Sequence, residues 1–118
     1  MSEIPSVAVT ELPADFVGET KAILLDVREP DEWAEGHAPG ALHIPLGDVP
    51  ARIDEIDPDA DLYVICHSGG RSARVVGYLM QRGYPGRNVD GGMVSWAQSG
   101  RPLEYGSGAA GPDSGNSP

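Results

Sequence analysis

The chain has 118 residues, 40% of them apolar, and a formal charge of 8 − 18 = −10 at neutral pH, enough for one domain around one hydrophobic core. So acidic a surface repels phosphate backbones, which argues against nucleic acid as a partner and fits a soluble protein. One cysteine excludes an internal disulfide and a C-x-x-C redox pair, and no apolar run approaches the ~20 residues of a membrane span.

The N-terminal residues, "MSEIPSVAVTELPADF", are partly acidic and lack the long apolar stretch of a signal peptide. Within them "SVAVT" predicts a short strand, and "ELPADFVGE", residues 11–19, a short helix. "AILLDV" at 22–27 is a nearly continuous apolar run of strand length, as in a strand buried on both faces. "EPDEWAEG" predicts a helix with Pro30 at its start and Gly36 at its stop. A turn-rich segment, "GHAPGALHIP", carries a strand around Ala41 to Ile44. Leu46, Val49, Ile53 and Ile56 recur at helical spacing, with Pro50 confined to the first turn. "DLYVIC" predicts a strand ending at Cys66, and "RSARVVGYLMQRG" a helix with Val75, Val76, Leu79 and Met80 on one face and Gly83 as its cap. "RNVDGG" and "MVSWAQSG" predict a last strand and a last helix. From residue 106 the chain reads "GSGAAGPDSGNSP", nine of thirteen residues Gly, Ser or Pro, a composition expected to form a disordered tail.

Strands alternating with helices imply an α/β fold whose parallel sheet is covered on both faces. Ligands in such folds bind beyond the carboxyl ends of the strands, and Cys66 lies on that side. The stretch "CHSGGRS" places the only thiol at a glycine-rich turn between strand and helix. A thiolate is the reactive form of cysteine, and positive potential favours it. The start of a helix presents unpaired N–H groups with the positive end of its dipole behind them. Gly69 and Gly70 let the backbone curl so that these groups converge. Arg71 adds a permanent positive charge, and His67 another when protonated. Ser68 and Ser72 offer hydroxyl donors, and Ser72 is also a candidate helix cap. The expectation is an anion cradle with Cys66 at its base.

"DVREPDEWAEGHAPGALHIPL", "YVICHSGGRSARVVGYLMQRGY" and "VDGGMVSWAQSGRPL", in that order, resemble the rhodanese family of single-domain sulfurtransferases, over about Val7 to Leu103. The resemblance implies a five-stranded parallel sheet flanked by helices on both faces. It implies a rhodanese domain over residues 1–105 with the tail at 106–118. It also implies that Cys66 takes a sulfane sulfur from a donor such as thiosulfate, carries it as a persulfide, and passes it to cyanide, a thiol or a protein acceptor. The exchange is ping-pong chemistry with a covalent intermediate, so one cysteine suffices. The loop residues His67, Ser68, Gly69, Gly70, Arg71 and Ser72 are then the substrate-binding candidates.

Two other readings stand beside it: a carrier or regulatory module that hands over sulfur only on a protein partner, and a small phosphatase or arsenate reductase. The related phosphatases have a cradle one residue longer, and the six residues from Cys66 to Arg71 favour a single sulfur atom over a wider phosphate. Simpler explanations hold elsewhere. Asp26 and Arg28 read as a structural ion pair, Trp33 and Trp96 as packing residues, and the acidic run "DEIDPDAD" as a solvated helix end and loop. His67 faces either solvent or substrate. His37 and His43 form no ligand cluster with Cys66, so neither metal nor cofactor is expected. Nothing calls for an oxidising compartment or a membrane, and the expected location is the cytoplasm.

Overall fold

The structure, a computed structural model, describes residues 4–18 and 20–106. Its sheet has five parallel strands: β1 (Ser6–Val7), β2 (Ala22–Asp26), β3 (Leu42–His43), β4 (Asp61–Ile65) and β5 (Gly86–Val89), in spatial order β1-β5-β4-β2-β3. The most apolar runs of the sequence, β2 and β4, pair along five residues from Ala22 opposite Asp61 to Asp26 opposite Ile65. Consecutive strand residues point to opposite faces. Leu25 and Val64 therefore enter one core, and Leu24 and Ile65 the other.

The helices are α1 (Pro30–Ala34), α2 (Val49–Arg52), α3 (Gly70–Met80) and α4 (Gly92–Gln98). The first core takes Val49 from α2 and Val75, Val76 and Leu79 from α3. The second takes Met93 and Trp96 from α4, together with Val9, Leu12 and Phe16 from the N-terminal segment. Burying side chains of this size contributes about 1.5–3 kcal/mol each, so both faces of the sheet are well anchored. The sheet covered on both faces thus matches the expectation.

Three local expectations are corrected. The helix expected over 11–19 does not form in residues 11–18; a single 3-10 turn, Val9–Glu11, is all that appears. Pro13 lacks the N–H a helix needs. Leu12 and Phe16 turn into the second core, and the Arg101 guanidinium donates to the carbonyls of Leu12 and Pro13 at 3.1 and 2.9 Å. Glu19 lies outside the described residues. The helix expected from Leu46 to Ile56 is broken into a 3-10 turn at Leu46–Asp48, α2, and a second 3-10 turn at Ile53–Glu55. Pro50 has no N–H for the Leu46 carbonyl, so the helix restarts around it, although the four apolar side chains still pack on one cluster. Met80, placed with the buried face of α3, is 39% exposed, because it falls at the edge of that stripe in the last turn.

Gly83 adopts φ +86°, and the Tyr84 N–H closes back on the Leu79 carbonyl at 3.0 Å, ending α3 as a left-handed cap does. The carboxylates of the run from Asp54 to Asp61 are all exposed. No helix among the described residues is long and apolar enough to cross a membrane. The tail expected to be disordered lies outside the described residues from 107 onward.

Candidate active site

β4 delivers Cys66 to the carboxyl edge of the sheet, and the chain must reverse within a few residues to start α3. Gly69 makes the reversal at φ +113°, a left-handed conformation that glycine adopts without strain. Its N–H then points back at Cys66 Sγ, 3.1 Å away.

What keeps the loop in this shape is outside it. The carbonyls of Cys66 and His67 accept hydrogen bonds from the N–H groups of Met93 and Val94, at 2.8 and 3.1 Å, in the first turn of α4. α4 approaches so closely only because residue 92 is glycine at φ +55°; a side chain there would collide with both carbonyls. The Gly69 carbonyl is bonded by the Ala73 N–H at 3.2 Å and by Asn88 Nδ2 at 3.2 Å. With these carbonyls engaged elsewhere, the loop's N–H groups are left to the sulfur.

Cys66 is buried, 1% exposed. Burial is the largest single influence on its thiol and pushes the pKa up. The Ser72 hydroxyl and the N–H groups of Ser72, Gly69 and Ser68 pull the other way and together prevail, so the thiol lies below its ordinary value. This is the pattern of a sulfur poised to carry negative charge.

The other loop residues divide by exposure. His67, Ser68 and Gly70 are exposed at the mouth, whereas Gly69 and Arg71 are half-buried. Ser72 is fully buried, and its Oγ stands 3.3 Å from Cys66 Sγ, 3.3 Å from the Gly69 carbonyl, and against Asn88 Oδ1. The candidate cap role of Ser72 is not realised. α3 begins at Gly70 with Gly69 as its cap, so Ser72 falls inside the first turn.

Arg71 directs its guanidinium fork to Glu32 on α1, with both bonds at 2.8 Å. Held chiefly by that bond, the Glu32 carboxyl drops to about 2. Arg71 rises above its ordinary value, again mainly because of Glu32 and to a smaller extent because of the charge at Cys66. The guanidinium therefore adds positive potential near the thiol from a fixed position.

Asp26 and Arg28 form the buried ion pair expected of them, at 2.8 Å. Arg28 also donates to the carbonyls of Glu32 and Gly36 at 3.1 and 2.8 Å, which ties α1 down and so places Glu32 opposite Arg71. Trp33 and Trp96 are buried packing residues. The rings of His37 and His43 stack on Trp33, with centroids 3.7 and 4.5 Å away. Their Nδ1 and Nε2 face the carbonyls of Trp33 and Arg28, each at 2.8 Å. Among the described residues no three His, Cys, Asp or Glu side chains gather as a metal site would require.

Three contributors escaped the sequence reading: Asn88, Glu32 and Gly92. Asn88 had left a signal, since asparagine is disfavoured inside a strand and its presence in "RNV" asks for a buried partner. The glycine pair in "VDGG" likewise marks a close backbone approach. Nothing local marks Glu32, which meets Arg71 from 39 residues away.

The family described as Rhodanese-like domain matches residues 9–99. The chain is 40% identical over 105 residues to a sulfurtransferase of Allochromatium vinosum, covering 87% of this chain and 94% of that one. It is 38% identical over 100 residues to YtwF of Bacillus subtilis (strain 168), covering 85% and 97%. A rhodanese-like domain protein of Staphylococcus aureus superposes with a TM-score of 0.77 at 34% identity, covering 88% of this chain and all of that one.

Proposed function

The chain belongs to the rhodanese-like family of sulfurtransferases, and we propose that it moves sulfane sulfur from thiosulfate to cyanide or a thiol through a persulfide on Cys66. The observation that carries this reading is the buried Cys66 sulfur beneath converging donors, with no carboxylate among the described residues bonded to them.

In the first half-reaction the Cys66 thiolate attacks the outer sulfur of thiosulfate. The new S–S bond forms as the bond to the sulfite group breaks, and sulfite leaves with the electron pair. The product, Cys66–S–S⁻, carries the one negative charge the thiolate had. The N–H groups of the loop hold that charge in place without reorganising, which is how a preformed cradle lowers a barrier. In the second half-reaction cyanide or a thiolate attacks the outer sulfur and the Cys66 thiolate leaves. The cycle consumes no oxidant or reductant, and no second cysteine takes part.

His67 and Ser68, exposed at the mouth, meet the incoming donor. Gly69 and Gly70 shape the cradle, and Arg71, fixed by Glu32, offsets the repulsion between an anionic donor and a thiolate. The six-residue loop suits one sulfur atom better than a phosphate, which favours this reading over a phosphatase. A reducing cytoplasm suits a protein that depends on one free thiol.

Incubation with thiosulfate followed by intact mass measurement tests the reading. A gain of ~32 Da that cyanide removes, absent in Cys66→Ser, is the expected result. An unchanged mass, or phosphatase activity without sulfur loading, overturns it.

A further inference from the structure

Asn88 sits in β5, buried, with its amide between two parts of the thiol loop. Nδ2 donates to the Gly69 carbonyl at 3.2 Å, and Oδ1 accepts from the Ser72 hydroxyl. The carbonyl decides which way round the amide stands. Reversed, Oδ1 would face the Gly69 oxygen with no hydrogen between two acceptors. Oδ1 is thereby committed to Ser72.

The Ser72 hydroxyl has one proton and three acceptors in reach: Asn88 Oδ1, Cys66 Sγ and the Gly69 carbonyl. A neutral thiol is a weak acceptor and an amide oxygen a good one, so against a protonated Cys66 the hydroxyl donates to Asn88. A thiolate reverses the ranking, because hydrogen bonds to ions are roughly twice as strong.

We propose that Asn88 is a positioning residue acting through Ser72, holding the hydroxyl proton away from Cys66 while the sulfur is neutral and releasing it when the sulfur is charged. The hydroxyl then follows the charge through the cycle. It turns to Sγ in the thiolate, and back to Asn88 in the persulfide, where the charge has moved to the outer sulfur. Asn88 thus opposes ionisation of the thiol and tempers what the N–H groups favour. The ionisable groups at the thiol turn are His67, exposed on the loop, and the Arg71–Glu32 pair. Asn88 differs from all of them in acting by competition for one proton.

The inference rests on Cys66 as the reacting sulfur, but its test does not need sulfur transfer. Cys66 is the only thiol, so the ultraviolet absorbance of the thiolate against pH reads its ionisation in the full chain. Asn88→Ala is expected to lower the midpoint by ~0.5 pH unit, about threefold more thiolate on the acid side. In a Ser72→Ala background the same substitution is expected to shift nothing. Asn88→Asp keeps the size, grips the hydroxyl more strongly, and is expected to raise the midpoint by ~1 unit, and by less without Ser72. If Asn88→Ala does not fold, the Asn88→Asp pair makes the same comparison. A midpoint that rises or stays put in Asn88→Ala, or a shift that is equal with and without Ser72, overturns the proposal and leaves Asn88 a brace of the Gly69 turn. Failure of thiosulfate loading with these titrations intact would instead count against the sulfurtransferase reading alone.

Discussion

The turn after β2 and the turn after β4 leave the same edge of the sheet, and each leads into a helix. Only one of them keeps donors free for a sulfur. After β2, the Arg28 N–H goes to Asp26 Oδ1 at 3.0 Å, the Glu29 N–H goes to Glu32 Oε1 at 2.9 Å, and Pro30 has none to offer. Carboxylates of the chain itself occupy the place an anion would take. After β4 no carboxylate among the described residues accepts from the backbone N–H groups that face the sulfur; the Gly69 N–H ends on Cys66 Sγ, and the thiol is drawn toward its ionised form. Topology makes both turns candidate sites, and the partner of the N–H groups favours the one after β4.

The comparison is broken most completely at the sulfur. Cys66→Ser is expected to lose sulfur loading to below detection in intact mass measurement while its circular dichroism and melting curve stay native-like, since serine keeps the shape without the nucleophile. Loading that persists would move the reaction away from this turn.

At the other turn the effect should fall on stability. Asp26→Ala leaves Arg28, with its side chain 5% exposed, without its counter-charge. That is expected to cost about 3–5 kcal/mol in urea unfolding, while the folded fraction still loads sulfur. A loss of loading with little destabilisation would make the β2 turn part of the site.

Gly92→Ala probes the support beneath the β4 turn. The residue sits at φ +55°, and a methyl group meets the Cys66 and His67 carbonyls. Roughly 1–3 kcal/mol of destabilisation and a ~10–100-fold slower loading step are expected, read by unfolding and stopped-flow mass increments. Loading at the native rate would show that the loop holds its shape without α4.

The smallest effect joins the two turns. Glu32→Gln removes the charge that the β2 turn contributes to Arg71. Loading by thiosulfate is expected to quicken about threefold at low ionic strength and to return toward the native rate as salt screens the freed charge. The stability effect carries a sign. The Glu32 carboxyl is depressed to about 2, so the pair stabilises fully above the ordinary carboxylate range near ~4.3 and fades as pH falls toward 2. The native chain should exceed the variant by about 0.5–1 kcal/mol from pH 5 to 8, a margin that narrows in acid. A constant margin down to pH 2 would show that the ion pair is not its source.

Much of this was legible in the chain. The runs "AILLDV" and "DLYVIC" announce buried strands because a strand covered on both faces needs no polar alternation. "CHSGGRS" announces the thiol turn because a left-handed reversal calls for glycine and the pairing of thiol and glycines is local. The three corrections in the fold have different causes. Pro13 and Pro50 lack the N–H that a continuing helix needs, Leu12 and Phe16 turn into the second core where Arg101 holds their segment, and Met80 lies at the edge of the apolar stripe of α3.

The alternation of strand and helix, the position of the thiol and the curl of backbone around it are legible in the sequence alone, since each depends on residues within a turn or two of one another. The tertiary structure decided which N–H groups remain free and what the polar side chains do. Arg71 is held by a carboxylate from α1, the Cys66 and His67 carbonyls by the first turn of α4, and the Ser72 proton by Asn88 on β5. These partners are 16 to 39 residues apart in the chain, and a hydrogen bond requires about 3 Å, a proximity that only the assembled parallel sheet and its helices create.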